Sequence, residues 1–375
     1  MLSAMKKLIY VIIIASLILP FFCFDIYAEP YEFEEVKSEL SDELSDILSE
    51  EVREAFDYLG VSDLSFESIY NVSFRNLLTY FTPEIKEKAK NVFSSFFELF
   101  STVLILVFFG VLTQGSGLNN TLMLFGSAVI TLMTAGNISD VLNSCLAVLK
   151  LSGGFVASYV PVFTLIVSFS GNPASALVYN SFVLGITEVM SVVINGGLVD
   201  FIGCFICLSI AFSFNESLNT PRLISAVNKT VTIVLSISAS LFSGILTVKN
   251  IMAVSLDGVS VKGIRFLISS FIPIIGASIS EAYASVLGSI NLIKSSVAVV
   301  GILAVVIINL PVVSETLLYY LSFSALSYIS GITGCSRVSE MFSAVCSAIR
   351  LMLILVVFQM FILIISTGII LTFVR

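Results

Sequence analysis

The residues of this chain with chemistry to offer are a few charges set among long apolar runs. Asp257, Lys262 and Arg265 share one short polar segment, Glu281 and Lys294 flank the next, and Glu98, Glu188, Asp200 and Glu315 each stand within or beside an apolar run. A charged side chain at a bilayer centre costs about 2.5–3.5 kcal/mol on insertion scales, so such groups must be paired, interfacial or in a wet cavity. The chemistry open to carboxylates and amines there is ion pairing, proton relay or the lining of a polar pathway. Structural pairing, Glu281 with Lys294 or Asp257 with Lys262, is the plain alternative, as is snorkelling at helix ends. Pro161 and Pro273 add freed backbone carbonyls, because a proline inside a helix removes an amide donor.

Other chemistries are poorly served. The chain has no histidine, and Cys204-x-x-Cys207 lies in an apolar run, so zinc or redox chemistry is disfavoured and the six cysteines read as small packing residues. Neither G-x-x-x-x-G-K-[ST] nor G-x-G-x-x-G occurs, so energy for any transport would come from a gradient or a partner. The expectation is a protein that is not an enzyme, with no metal, no cofactor and no nucleic-acid partner.

The elements that must hold these residues are helices in a bilayer. Hydrophobic residues make up 57% of the 375 and charged residues 12%, against about 45–50% and 25% in soluble proteins, and the mean hydropathy is +1.05. Beyond residue 93 there are about nine or ten runs near the 20 residues that a spanning helix needs. The fold class expected is therefore an all-α, polytopic integral membrane bundle of about nine or ten spans. Residues 118–135 and 155–170 are read as separate spans around an interfacial segment 137–154, and 295–313 and 316–332 as two more. Residues 331–350, with Arg337 and Arg350, are read as the last polar loop.

The formal charge of −8 belongs to one segment. Residues 29–90 carry sixteen acids against six bases, a net of −10, which leaves the rest at +2. Residues 1–28 read as a signal peptide: Lys6 and Lys7, an apolar stretch, and a cleavage site after Ala28. Residues 29–92 then form an acidic extracytoplasmic segment, and 93–375 the membrane domain. Val36, Leu40, Leu44, Ile47, Leu48, Ala55 and Leu59 recur at helical spacing and draw an amphipathic stripe ended by Gly60. That stripe either packs on a neighbouring helix or membrane face, or belongs to a solvated spacer. Thr82-Pro83-Glu84 is read as a helix start.

Ser158-Tyr-Val-Pro161-Val and Ser270-Phe-Ile-Pro273-Ile match position by position, suggesting a parallel internal repeat of units 118–214 and 230–332. With the segment from Glu29 outside, Arg222, Lys229, Arg337 and Arg350 fall in the cytoplasm as the positive-inside rule requires, whereas Lys249, Lys262 and Arg265 do not. Either those three lie in a re-entrant or buried segment, or the number of spans differs by one.

The blocks Asp257-Gly-Val-Ser-Val-Lys262, Arg265-Phe, Ser270-Phe-Ile-Pro273-Ile-Ile-Gly276, Val286-Leu-Gly288, Leu292-Ile-Lys294 and Val300-Gly301 resemble, in fixed order, the stage III sporulation protein AE family. The resemblance implies a multi-pass subunit of the channel complex between mother cell and forespore, in the mother-cell-derived outer forespore membrane. The partners it implies are a cytoplasmic ATPase, small membrane subunits and ring-forming intermembrane proteins. A permease-like core passing small molecules or ions is the first expectation. A non-conducting scaffold anchoring the rings and a stand-alone secondary transporter are the alternatives.

Overall fold

The computed structural model describes residues 47–61, 72, 74–113, 118–193, 242–249, 251–258 and 276–373, with isolated positions between 203 and 240. Residues 1–28, read as a signal peptide, residues 29–46, 62–71 and 73 of the acidic segment, and Asp200, Lys262, Arg265 and Pro273 lie outside the described residues. What is described is all helix: α1 Glu50–Leu59, α2 Phe74–Leu112, α3 Leu118–Phe169, α4 Pro173–Val193, α5 Ser236–Gly258, α6 Gly276–Ile332 and α7 Ser336–Phe373.

The expected spans merge. α3 has 52 residues and α6 has 57, so the runs 118–135 and 155–170 belong to one helix, as do 295–313 and 316–332. A continuous helix cannot reverse direction, so each such pair is not two crossings. Among the described residues five helices, rather than nine or ten, are long and apolar enough to cross a membrane. Pro161 and Pro311 sit inside α3 and α6 without ending them. The segment 137–154 is simply the middle of α3. The loop expected at 331–350 is a tight turn at 333–335, closed by Gly334 at φ +83° and the Cys335 amide bonded to the Ser330 carbonyl at 3.0 Å. Arg337 and Arg350 are therefore helical.

The start of α2 is a second correction. Thr82 does not cap; its hydroxyl donates to the Leu78 carbonyl at 2.7 Å, and Pro83 lies inside a helix that begins at Phe74. The tertiary context overrides the local signal, because Leu77 and Phe81 are buried and require the helix to continue upstream of the proline. Of the expected stripe, Leu48, just before α1, and Ala55 and Leu59 in it are buried together with Val52 and Phe56, while Val36, Leu40 and Leu44 lie outside the described residues. Gly60, at the end of α1, takes φ +77°, a left-handed conformation that glycine adopts without a Cβ penalty.

Inter-helix bonds fix the register. Cys145 Sγ meets Thr316 Oγ1 at 3.4 Å, Ser152 Oγ accepts from Asn309 Nδ2 at 2.8 Å, and Tyr159 packs against Gly301. A step of seven along α3 matches about seven back along α6, so these helices run antiparallel with a coiled-coil-like seam. A Cβ at 301 would enter the Tyr159 ring, which is itself stacked between Phe155 and Phe163. Thr131 meets Met341 and Leu149 meets Gln359, both 210 residues apart, so α7 runs parallel to α3. Leu106 lies against Gly126, Met123 against Gly110, and Ser95 against Asn137, so α2 returns antiparallel along α3. α6 is the axis: every residue from 294 to 309 is buried, as in a helix apolar on all sides that occupies a core.

Candidate functional site

The best-defined polar site is built by three helices around Asp257. α3 ends in a turn with Gly171 at φ +84°, and Asn172 donates through Nδ2 to the Ser170 carbonyl at 3.0 Å. α4 therefore opens at Pro173 with amides free to bond outward. Asp257, near the end of α5 and only 2% exposed, supplies the acceptors: Oδ1 takes the Ala174 amide at 2.8 Å, and Oδ2 takes the Ser175 amide at 2.9 Å and hydroxyl at 2.7 Å. A carboxylate at a helix N-terminus satisfies orphan donors and complements the helix dipole. The expected partner Lys262 lies outside the described residues, and the contacts observed for Asp257 are these three donors.

Lys294 is also 2% exposed and stands on α6 at the head of a line of buried polar groups. Tyr159 donates to the Val297 carbonyl at 3.0 Å, Asn309 donates to Ser152 and to the Val305 carbonyl at 2.7 Å, and Gln359 donates to the Leu149 carbonyl at 2.9 Å. Asn309 Oδ1 and Gln359 Oε1 are buried without a hydrogen-bond partner. Beside Gln359 lies a cavity of about 10 Å³, lined also by Val156, Thr187, Ile362 and Leu363, close to the room that one water needs. Sequence reading missed Ser152, Asn309 and Gln359; the signal available was an amide isolated in an apolar run.

The remaining expected residues separate. Glu188 faces outward on α4, Pro161 outward on α3, and Glu98 outward on α2. Glu281 lies in α6, with its side chain outside the described residues. Glu315 accepts from Lys88 at 2.8 Å, and Glu84 lies 3.8 Å from the same ammonium. Cys145, Cys335 and Cys346 are free thiols, and no group of three or more His, Cys, Asp or Glu fit for a metal occurs among the described residues.

Long apolar helices joined by helix-to-helix hydrogen bonds, five of them able to span a bilayer, define a multi-pass helical membrane protein. Residues 50–373 match the stage III sporulation protein AE family, and the chain belongs to that family. It is similar to the stage III sporulation protein AE of Bacillus subtilis (strain 168), with 20% identity over 207 residues, 54% of this chain and 52% of that protein. The chain thus spans about half the length of the curated relative it matches. No solved structure matches it.

Proposed function

We propose that this chain is a membrane subunit of the sporulation complex between mother cell and forespore, and that it acts as the post on which the complex is assembled. The observation that carries this reading is α6. At 57 residues it is about 86 Å long, far more than the roughly 30 Å of hydrocarbon in a bilayer. It is sheathed by α1, α2, α3 and α7, so it is a stiff axis extending past the membrane. Ring-forming intermembrane proteins, small membrane subunits and a cytoplasmic ATPase are the partners for such a post, and the outer forespore membrane is its location. No bond-making chemistry is assigned to it.

A permease-like core is the second reading, favoured by the line from Lys294 through Asn309 to Gln359 with its two orphaned acceptors. Lys294→Gln combined with Asn309→Leu and Gln359→Leu separates the two in sporulating cells. If partners still co-purify and entry of a small tracer into the forespore is unchanged, the chain is a post. If the tracer is lost while the partners still co-purify, the post reading gives way to a conduit.

A further inference from the structure

We propose that one buried water molecule bridges Gln359 of α7 to Thr187 of α4, so that these two helices are joined by two polar rungs, one direct and one through water. The inference goes beyond both readings above, because it concerns how the bundle is closed and not what it assembles or passes.

The register places the two side chains opposite each other. α4 reverses on α3 after the turn at Gly171, and α7 runs parallel to α3, so α4 and α7 are antiparallel. The hydroxyls of Tyr179 on α4 and Thr367 on α7 meet at 3.1 Å. From Tyr179 on to Thr187 is eight residues, and from Thr367 back to Gln359 is eight as well. Each step is about 12 Å at the helical rise, so Thr187 comes level with Gln359 just as Tyr179 is level with Thr367. Thr187 and Gln359 do wall the same small cavity, with Val156 of α3 and with Ile362 and Leu363 of α7.

The chemistry of those walls selects the occupant. Gln359 is 9% exposed, and its amide has one orientation open to it: only Nε2 can donate to the Leu149 carbonyl, 2.9 Å away, so the end without a partner is Oε1. The Thr187 hydroxyl gives its proton to the Val183 carbonyl at 2.7 Å, so toward a further group it can only accept. No other lining residue has a polar side chain. The walls therefore offer acceptors and no donor, which excludes an anion or a carbonyl compound. A bare cation fits poorly as well, because no carboxylate lines the space and an uncompensated buried charge is costly.

Water meets every condition. Its two protons satisfy two acceptors, the lower end of the two to four bonds that a buried water makes, and about 10 Å³ is room for a single molecule. Without it, Oε1 bears the desolvation of an amide carbonyl with no bond in return. The rung at Tyr179 is made by protein alone, whereas the rung at Thr187 holds only through its water.

Water-edited solid-state NMR of the full-length protein in vesicles tests this. The chain has two glutamines, Gln114 and Gln359, so isotope-labelled glutamine in a Gln114→Asn background reports a single side-chain carbonyl. Magnetisation from water should reach the Gln359 carbonyl several-fold faster than in Val156→Ile, where an added methyl fills the cavity. Slow transfer in both overturns the proposal, because the cavity is then dry. Fast transfer in both overturns it too, because the water then lies elsewhere. The bridge itself is tested by thermal midpoints in detergent for Thr187→Val, Gln359→Leu and the double variant. The double variant should lose no more than the worse single one, since both remove the same bridge; losses that add overturn it. The NMR measurement keeps Thr187 and Gln359 unaltered, so it stands even if one of those variants does not fold. Neither readout depends on partner assembly or tracer entry.

Discussion

Asp257 shows how a residue singled out by its cost in an apolar context turns out to be employed. Its two oxygens receive three donors from the first turn of α4, so its charge is neutralised locally by amides and a hydroxyl. Asp257→Ala leaves two buried amides unbonded, and losing such a cap costs about 0.5–2 kcal/mol. The expected result is a lower thermal midpoint by circular dichroism in detergent, partly restored in Asp257→Asn because one acceptor oxygen remains. The residue was legible in the sequence as a charge that needs a partner. The partner was not, because Ala174 and Ser175 offer backbone amides some 80 positions away and no side-chain type advertises a helix N-terminus bent to that point.

At the scale of the element, α2 is the informative case. Thr82-Pro83-Glu84 satisfies every local rule for a helix start, and the helix runs through it. A proline at a first position has no amide to lose, whereas one in mid-helix removes a bond and crowds the carbonyl a turn earlier, costing about 3 kcal/mol. Pro83 is exposed, so Pro83→Ala is expected to raise the thermal midpoint; a true first-position proline would show no gain. What holds the strained turn is tertiary: Leu77 and Phe81 are buried, and Tyr80 meets Tyr58 of the α1 segment with ring centroids 5.2 Å apart. The same logic merged the expected spans, since a short polar stretch such as 137–154 reads as a break only when its neighbours are ignored. Asn137 bonds Ser95, and Ser152 bonds Asn309, so two polar positions of that stretch are places where other helices are gripped.

For the whole molecule, stability should grade along the radius of the bundle rather than along the chain. Amides of α6 between 294 and 309, buried on every side, are expected to exchange with deuterium last in detergent, and those at the outward-facing end of α2 well before them. Equal protection in the two helices would show that the packing around α6 is not the core. The sequence by itself determined that the protein is helical, multi-pass and a member of the stage III sporulation protein AE family, because composition, apolar run length and a few ordered blocks are properties of the chain as written. It also marked Asp257 and Lys294 as charges that must be accommodated. Only the tertiary structure decided how many runs join into one helix, which apolar surfaces the protein covers itself, and which polar groups meet. Those outcomes depend on register between helices far apart in sequence. Hydropathy is the same number for a side chain sheathed by its own protein and for one facing lipid, so no reading of the chain in order distinguishes the two.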